Sequence, residues 1–175
     1  NKIEILKLTG PTTDAKATPA SAVSGQGIRE GLLNGPLCAA LTPDGVILVL
    51  ETANNRIQSF DTSGNPVSTV FTVNGQPSYF APLKYQTPSY NYIDMAAEYT
   101  GYLYLLSYTQ SGLGYQYYLD IYSPQGAFLS RTSQFSATRI TVSYWRDVFA
   151  ANLEVLKRTD GITEPSISHW IPSTP

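Results

Sequence analysis

The sequence predicts an all-β fold assembled from repeated units of four short strands. Three observations predict it. Strand–turn–strand patterns recur along the chain, the middle strands are apolar on both faces, and turns with glycine separate them at short intervals. Helical periodicity is scarce.

Each segment takes a place in that scheme. "KIEILKLTG" (residues 2–10) reads as a third strand of a preceding unit, whose partners would lie outside the chain. Residues 17–33 have no helical apolar period and several Gly and Pro, and read as a long connecting loop. "LCAALTPDGVILVLE" (37–51) is strand, turn, strand. Asp44-Gly45 marks the turn because glycine accepts the positive φ that a tight hairpin demands. "VILVL" is the continuous apolar run of a strand covered on both sides, whereas "RIQSF" (56–60) alternates and reads as half-buried. Residues 72–90, rich in Pro and Tyr, read as a second loop.

The pattern then repeats. "IDMAAEYTGYLYLLS" (93–107) matches 37–51, and "YLDIYSPQG" (118–126) matches "RIQSFDTSG" (56–64). "QSGLGYQY" (110–117) is an insertion in the turn between them. "TRITVSYWRDVFAANL" (138–153) is a third copy without the turn glycine, and "SISHWIPST" (166–174) closes it. Phe60, Tyr122 and Trp170 fall at one repeated position, where their rings should wedge between neighbouring units.

A repeat of roughly 40–50 residues holding four strands is the signature of a β-propeller blade. Blades stack face to face around an axis, which covers their middle strands on both sides. A β-sandwich also has short strands and frequent turns, but it does not require internal repetition. The expected segments are roughly 1–34, 35–80, 90–134 and 135–175, about three blades. Closed propellers have about four to eight. The ring is therefore expected to be completed by other segments of a longer polypeptide or by partner chains. The start at Asn1 rather than Met favours processing or excision from a longer chain.

At "NNRIQSFDTSG" the chain resembles NHL-repeat propellers. Gly35-Pro36, Asp44-Gly45, Asn54-Asn55-Arg56-Ile57, Phe60-Asp61 and Gly64 carry the resemblance, together with the upstream "SGQGIREGLLNGP". It is strong over residues 24–64, weaker over 93–126 and faint over 138–175. It implies a propeller that serves as an interaction platform. Some relatives are metal-dependent lyases and lactonases.

Composition narrows the function classes. The net charge is −2 and 14% of the residues are charged, which leaves no basic face to displace counterions from nucleic acid. Ser, Thr, Gly, Pro and Tyr supply the polarity, which points to an extracellular or particle surface. No stretch approaches the roughly 20 apolar residues of a membrane span. Cys38 is the one cysteine, so no internal disulfide forms, and it reads as a small buried apolar residue. His169 is the one histidine and reads as a packed or rim residue; alone it makes no His-rich zinc site. No calcium-loop spacing, phosphate-cradling glycine loop or Ser or Cys elbow motif is present.

The candidate binding residues follow from register and from tyrosine content. Asp94 and Arg139 share one first-strand position with Cys38, at the channel of a propeller, where an ion pair or a ligand contact is expected, the pair foremost. Asn54 and Asn55 should shape the turn that they occupy, with Arg56 bonded across to the next blade. Thirteen tyrosines are many for 175 residues. Tyr79, Tyr85, Tyr90, Tyr115 and Tyr117 fall in predicted loops, where they pack between loops and blades or meet proteins or sugars. The expected function is a non-catalytic interaction module with no cofactor and no metal, contacting protein chains or glycans. The alternatives are a propeller hydrolase or lyase with a channel metal, and carbohydrate binding through the loop tyrosines.

Overall fold

A computed structural model describes residues 2–10, 15–112, 114–133, 137–157 and 163–170, from residue 152 onward as backbone only. Every regular element among them is a strand. In chain order these are β1 (Lys2–Thr9), β2 (Lys16–Ser24), β3 (Pro36–Leu41), β4 (Ile47–Glu51), β5 (Arg56–Phe60), β6 (Phe71–Val73), β7 (Gln76–Ser78), β8 (Phe80–Pro82), β9 (Asn91–Ala97), β10 (Leu103–Ser111), β11 (Gly114–Tyr122), β12 (Phe128–Thr132), β13 (Arg139–Val142), β14 (Val148–Lys157) and β15 (Thr163–Trp170).

Three antiparallel meanders follow one another: β3-β4-β5-β8, β9-β10-β11-β12 and β13-β14-β15. They stack face to face, with β9 packed beside β3 and β13 beside β9, so the first strands line up as they do in propeller blades. The repeated aromatic position is real in register. Phe60 pairs with Ile47, Tyr122 with Leu103 and Trp170 with Val148, the same station in each sheet. Phe60 and Tyr122 are fully buried. The Trp170 side chain lies outside the described residues.

The seams between sheets form the core. Leu48, Leu50 and Ile57 of the first sheet meet Leu103, Leu105 and Tyr122 of the second. The opposite face of the second sheet, with Tyr104, Leu106 and Leu119, meets Ile140, Val148 and Ala150 of the third. Alternate residues of a strand point to opposite faces, so a strand covered on both sides must be apolar throughout, as "VILVL" is. Backbone also stitches the first seam, where the Thr72 N–H donates to the Gln125 carbonyl at 3.0 Å. Gly126 sits beside it at φ 84°. A Cβ there would lie 2.5 Å from Ala81 Cβ and 2.8 Å from Phe71 Cδ1, so only glycine lets the sheets approach.

One turn is used five times. In Thr42–Val46, Asp61–Asn65, Glu98–Tyr102, Ser123–Ala127 and Ser143–Asp147 the first N–H donates to the fifth carbonyl and the fourth N–H to the first carbonyl. The fourth residue has positive φ in each: Gly45, Gly64, Gly101, Gly126 and Arg146. The missing glycine of the third copy therefore changes no backbone geometry; arginine adopts it at φ 68°.

Four sequence expectations are corrected. β1 does not wait for strands outside the chain. It pairs with β2 as an antiparallel hairpin, so residues 16–24 are strand rather than loop. Pro19 sits at the register shift of that hairpin, where a missing N–H is tolerated. The hairpin covers the first sheet: Ile3 and Val23 pack with Leu33, Val49 and Phe60. The 72–90 segment is not all loop. Asn74-Gly75, both at positive φ, turn the β6–β7 hairpin, and β8 is the fourth strand of the first sheet. The "QSGLGYQY" insertion lengthens β10 and β11 out to the Ser111–Gly114 pair instead of forming a loop. Finally, β5 is buried along its whole length rather than half-buried. Arg56 and Gln58 are covered by the chain between β2 and β3, and Ser59 donates to the Val67 carbonyl at 2.7 Å.

Candidate functional site

The first-strand position does bring Cys38, Asp94 and Arg139 near one another, but not as an ion pair. Asp94 is half-buried, and its two oxygens accept the N–H groups of Met95 and Ile140, each at 3.0 Å. The Ile140 bond ties the second sheet to the third. Arg139 is exposed and donates to its neighbour's carbonyl, Thr138 O, at 2.7 Å; among the described residues no ion pair links it to Asp94. Backbone amides satisfy a carboxylate without the entropy cost of a long side chain, which is why they win. Cys38 is half-buried rather than fully buried, packed at the edge of the first seam. Burial, and then the nearby Asp94 carboxylate, push its thiol up to about 12 against the pull of the Met95 N–H and Arg139. So little thiolate exists near neutrality that iodoacetamide should modify native Cys38 roughly a hundredfold or more slowly than the unfolded chain at pH 8. Equal rates, read by mass spectrometry, would place the thiol outside this environment.

The loop tyrosines divide. Tyr85 and Tyr90 are packing residues. They stack at 4.9 Å and, with Tyr118, surround the Arg131 guanidinium, which lies 3.3, 4.4 and 4.4 Å from the three ring centroids. Arg131 in turn grips the fully buried Asp120 through Nε–Oδ1 at 2.5 Å and Nη2–Oδ2 at 2.8 Å. Burial raises the Asp120 carboxyl above its ordinary value although Arg131 pulls it down. Burial lowers Arg131, but its bonds to Asp120 outweigh that and hold it above its own ordinary value. The aromatic cage is thus filled by the protein's own cation. Tyr117 is buried in β11, not exposed in a loop. Tyr115 is 59% exposed, also on β11, with its ring 5.1 Å from that of Tyr108.

The first sheet carries a buried polar network. The fully buried Glu51 accepts from Arg56 Nε at 2.6 Å, Gln58 Nε2 at 3.1 Å, Asn54 Nδ2 at 2.8 Å and the Asn34 N–H at 2.7 Å. Arg56 also donates to the carbonyls of Ile28, Leu32 and Arg29. It therefore fastens the chain between β2 and β3 onto its own sheet, not onto the next one. Asn55 does shape its turn, at φ 51°. Its Oδ1 accepts from the Thr87 N–H at 2.7 Å.

One surface escaped the sequence reading. Tyr99, Tyr144 and Trp145 lie on the first turns of the second and third sheets and are 56%, 57% and 79% exposed. The Tyr99 and Tyr144 rings lie 4.4 Å apart at 38°, and Trp145 stands edge-on to Tyr144 at 4.9 Å. Arg146 clamps the two turns together. Its Nε lies 3.3 Å from Oε1 of the buried Glu98, its Nη2 donates to Thr100 Oγ1 at 3.3 Å, and its Cζ sits 5.0 Å from the Tyr102 ring. The positive φ of this arginine costs about 1–3 kcal/mol, which glycine would not incur, and it directs the guanidinium across the seam. The signal available in sequence was the replacement of the turn glycine by arginine beside two aromatics.

Tyr99 also walls a cleft of about 360 Å³ between the first turns of the first and second sheets. Thr42, Asp44, Thr69, Thr100 and Gln125 contribute to its lining. Among the described residues no group of three His, Cys, Asp or Glu is placed to hold a metal ion. The His169 side chain falls outside them.

No protein-family model matches the chain, and no curated protein does. Among solved structures it is similar to the PQQ-bound form of aldose sugar dehydrogenase from Streptomyces coelicolor, at 16% identity and a TM-score of 0.43 over 84% of this chain. The likeness spans 47% of that chain, about half its length.

Proposed function

We propose that the chain is a non-catalytic interaction module, an NHL-type propeller whose ring is completed by further segments of its polypeptide or by partner subunits at an extracellular or particle surface. One observation carries the reading. Leu48 and Leu50 of the first sheet, and Tyr104 and Leu106 of the second, are buried beneath the sheet that follows. Phe149 and Ala151 occupy the same stations of the third sheet. There they line, with Arg139, Ile140 and Thr141, a depression of about 210 Å³. No further sheet covers it among the described residues, and β15 pairs with β14 alone. Open sheet edges and apolar depressions associate.

Ala151→Asp, at the floor of the same depression, tests this. The chain should self-associate in light scattering across a dilution series, and Ala151→Asp should leave a monomer with an unchanged circular dichroism spectrum. A wild-type chain that stays monomeric throughout, with no effect of the substitution, would sink the proposal.

A further inference from the structure

We propose that the cleft walled by Tyr99, together with the Tyr99–Tyr144–Trp145 platform beside it, is a binding site for a neutral saccharide. The cleft opens between the turns of the first two sheets, and the platform bridges the turns of the second and third. Tyr99 belongs to both, so they form one strip with the ring at its centre. The cleft offers the Thr69 hydroxyl, the Gln125 amide and the proton of the Thr42 hydroxyl, whose oxygen accepts the Val46 N–H, beside the apolar Pro43, Val46, Val70 and Pro124; Asp44 is the one charge among its lining residues. Such a lining suits a ligand that presents many hydroxyls and no charge. An anionic polymer would call for cations there, and none lines the cleft.

The platform supplies the other half of sugar recognition. The face of an aromatic ring is electronegative and lies flat against the C–H face of a pyranose, while Tyr and Trp keep a polar edge for its hydroxyls. The rings are held before any ligand arrives. Arg146, fixed by Glu98, Thr100 and Tyr102, sets the turn that carries Tyr144 and Trp145 against the turn that carries Tyr99. A preformed platform binds without the cost of ordering exposed side chains.

The test is isothermal titration calorimetry of the full chain with neutral hexasaccharides of glucose, xylose and N-acetylglucosamine. A proline decamer and a sulfated oligosaccharide run alongside. At least one neutral hexasaccharide should bind saturably. Its Kd should rise about tenfold or more in Tyr99→Ala and in Trp145→Ala. Both side chains are largely exposed, so the melting temperature should hold, and Tyr115→Ala, at the far end of the second sheet, should bind as the parent does. A neutral N-glycan on a carrier protein and the free hexasaccharides separate a glycoprotein source from a polysaccharide, and either supports the site. Absence of binding by every neutral sugar, binding of the proline or sulfated probe alone, or sugar binding that survives both aromatic substitutions would overturn it.

Discussion

Phe60→Ala should lower the stability of the chain by about 3–5 kcal/mol, the usual cost of emptying a phenylalanine site in a close-packed core. The ring is completely buried. It sits between the first sheet and the β1–β2 hairpin, against Val23, Leu33 and Val49 with Ile3 and Ile47 around them. These neighbours come from three separate parts of the chain, so they cannot collapse together onto the vacated space. Phe60→Leu, which keeps much of the volume, should cost less than about 1.5 kcal/mol. Urea denaturation followed by circular dichroism measures both. A loss below about 1 kcal/mol for the alanine variant would contradict the placement of this ring in the seam.

Removing Arg56 should cost about as much, about 3–5 kcal/mol, for an electrostatic reason. Arg56→Met keeps the length of the side chain but leaves the Glu51 carboxylate in the interior without its cation. It also strips a donor from the carbonyls of Ile28, Arg29 and Leu32. Arg56→Lys should recover little, because an ammonium group cannot reach four acceptors from the planar fork that guanidinium provides. Removing both charges in Arg56→Met with Glu51→Leu should cost clearly less than the sum of the two single changes, since each single change strands one buried partner. Additive losses, or a lysine variant as stable as the parent, would show that the network does not hold the chain between β2 and β3.

The ring of Phe60 and the arginine that anchors Glu51 were legible to different degrees. Repetition was readable because it is written in spacing. The same station recurs at Phe60, Tyr122 and Trp170, and in the structure each pairs with the matching residue of the neighbouring strand. The polar side of β5 is buried against expectation, because alternation in sequence reports only that every second residue is polar. Arg56 and Gln58 are polar and still buried, since Glu51 and the carbonyls of a distant segment satisfy them. The Asn74-Gly75 hairpin is a local signal set among prolines, and Pro19, which a bulge accommodates, obscures β2 because it breaks the strand pattern.

The sequence by itself determined the all-β class, the repeating meander, its register and the inward-facing apolar stations. Local propensity and period-two patterning act over a few residues, and they survive in any environment that buries one face or two. The tertiary structure alone decided which polar residues are partnered and which aromatics remain free. Asp94 found backbone amides instead of Arg139. Tyr85 and Tyr90 closed around Arg131. Tyr99, Tyr144 and Trp145, in turns from two different sheets, came together at the surface. Such outcomes depend on which distant groups the stacking of sheets delivers to one place. Hydrogen bonds and ring contacts reach only a few ångströms, so the repeat spacing brings equivalent turns together but does not set which side chains bond there.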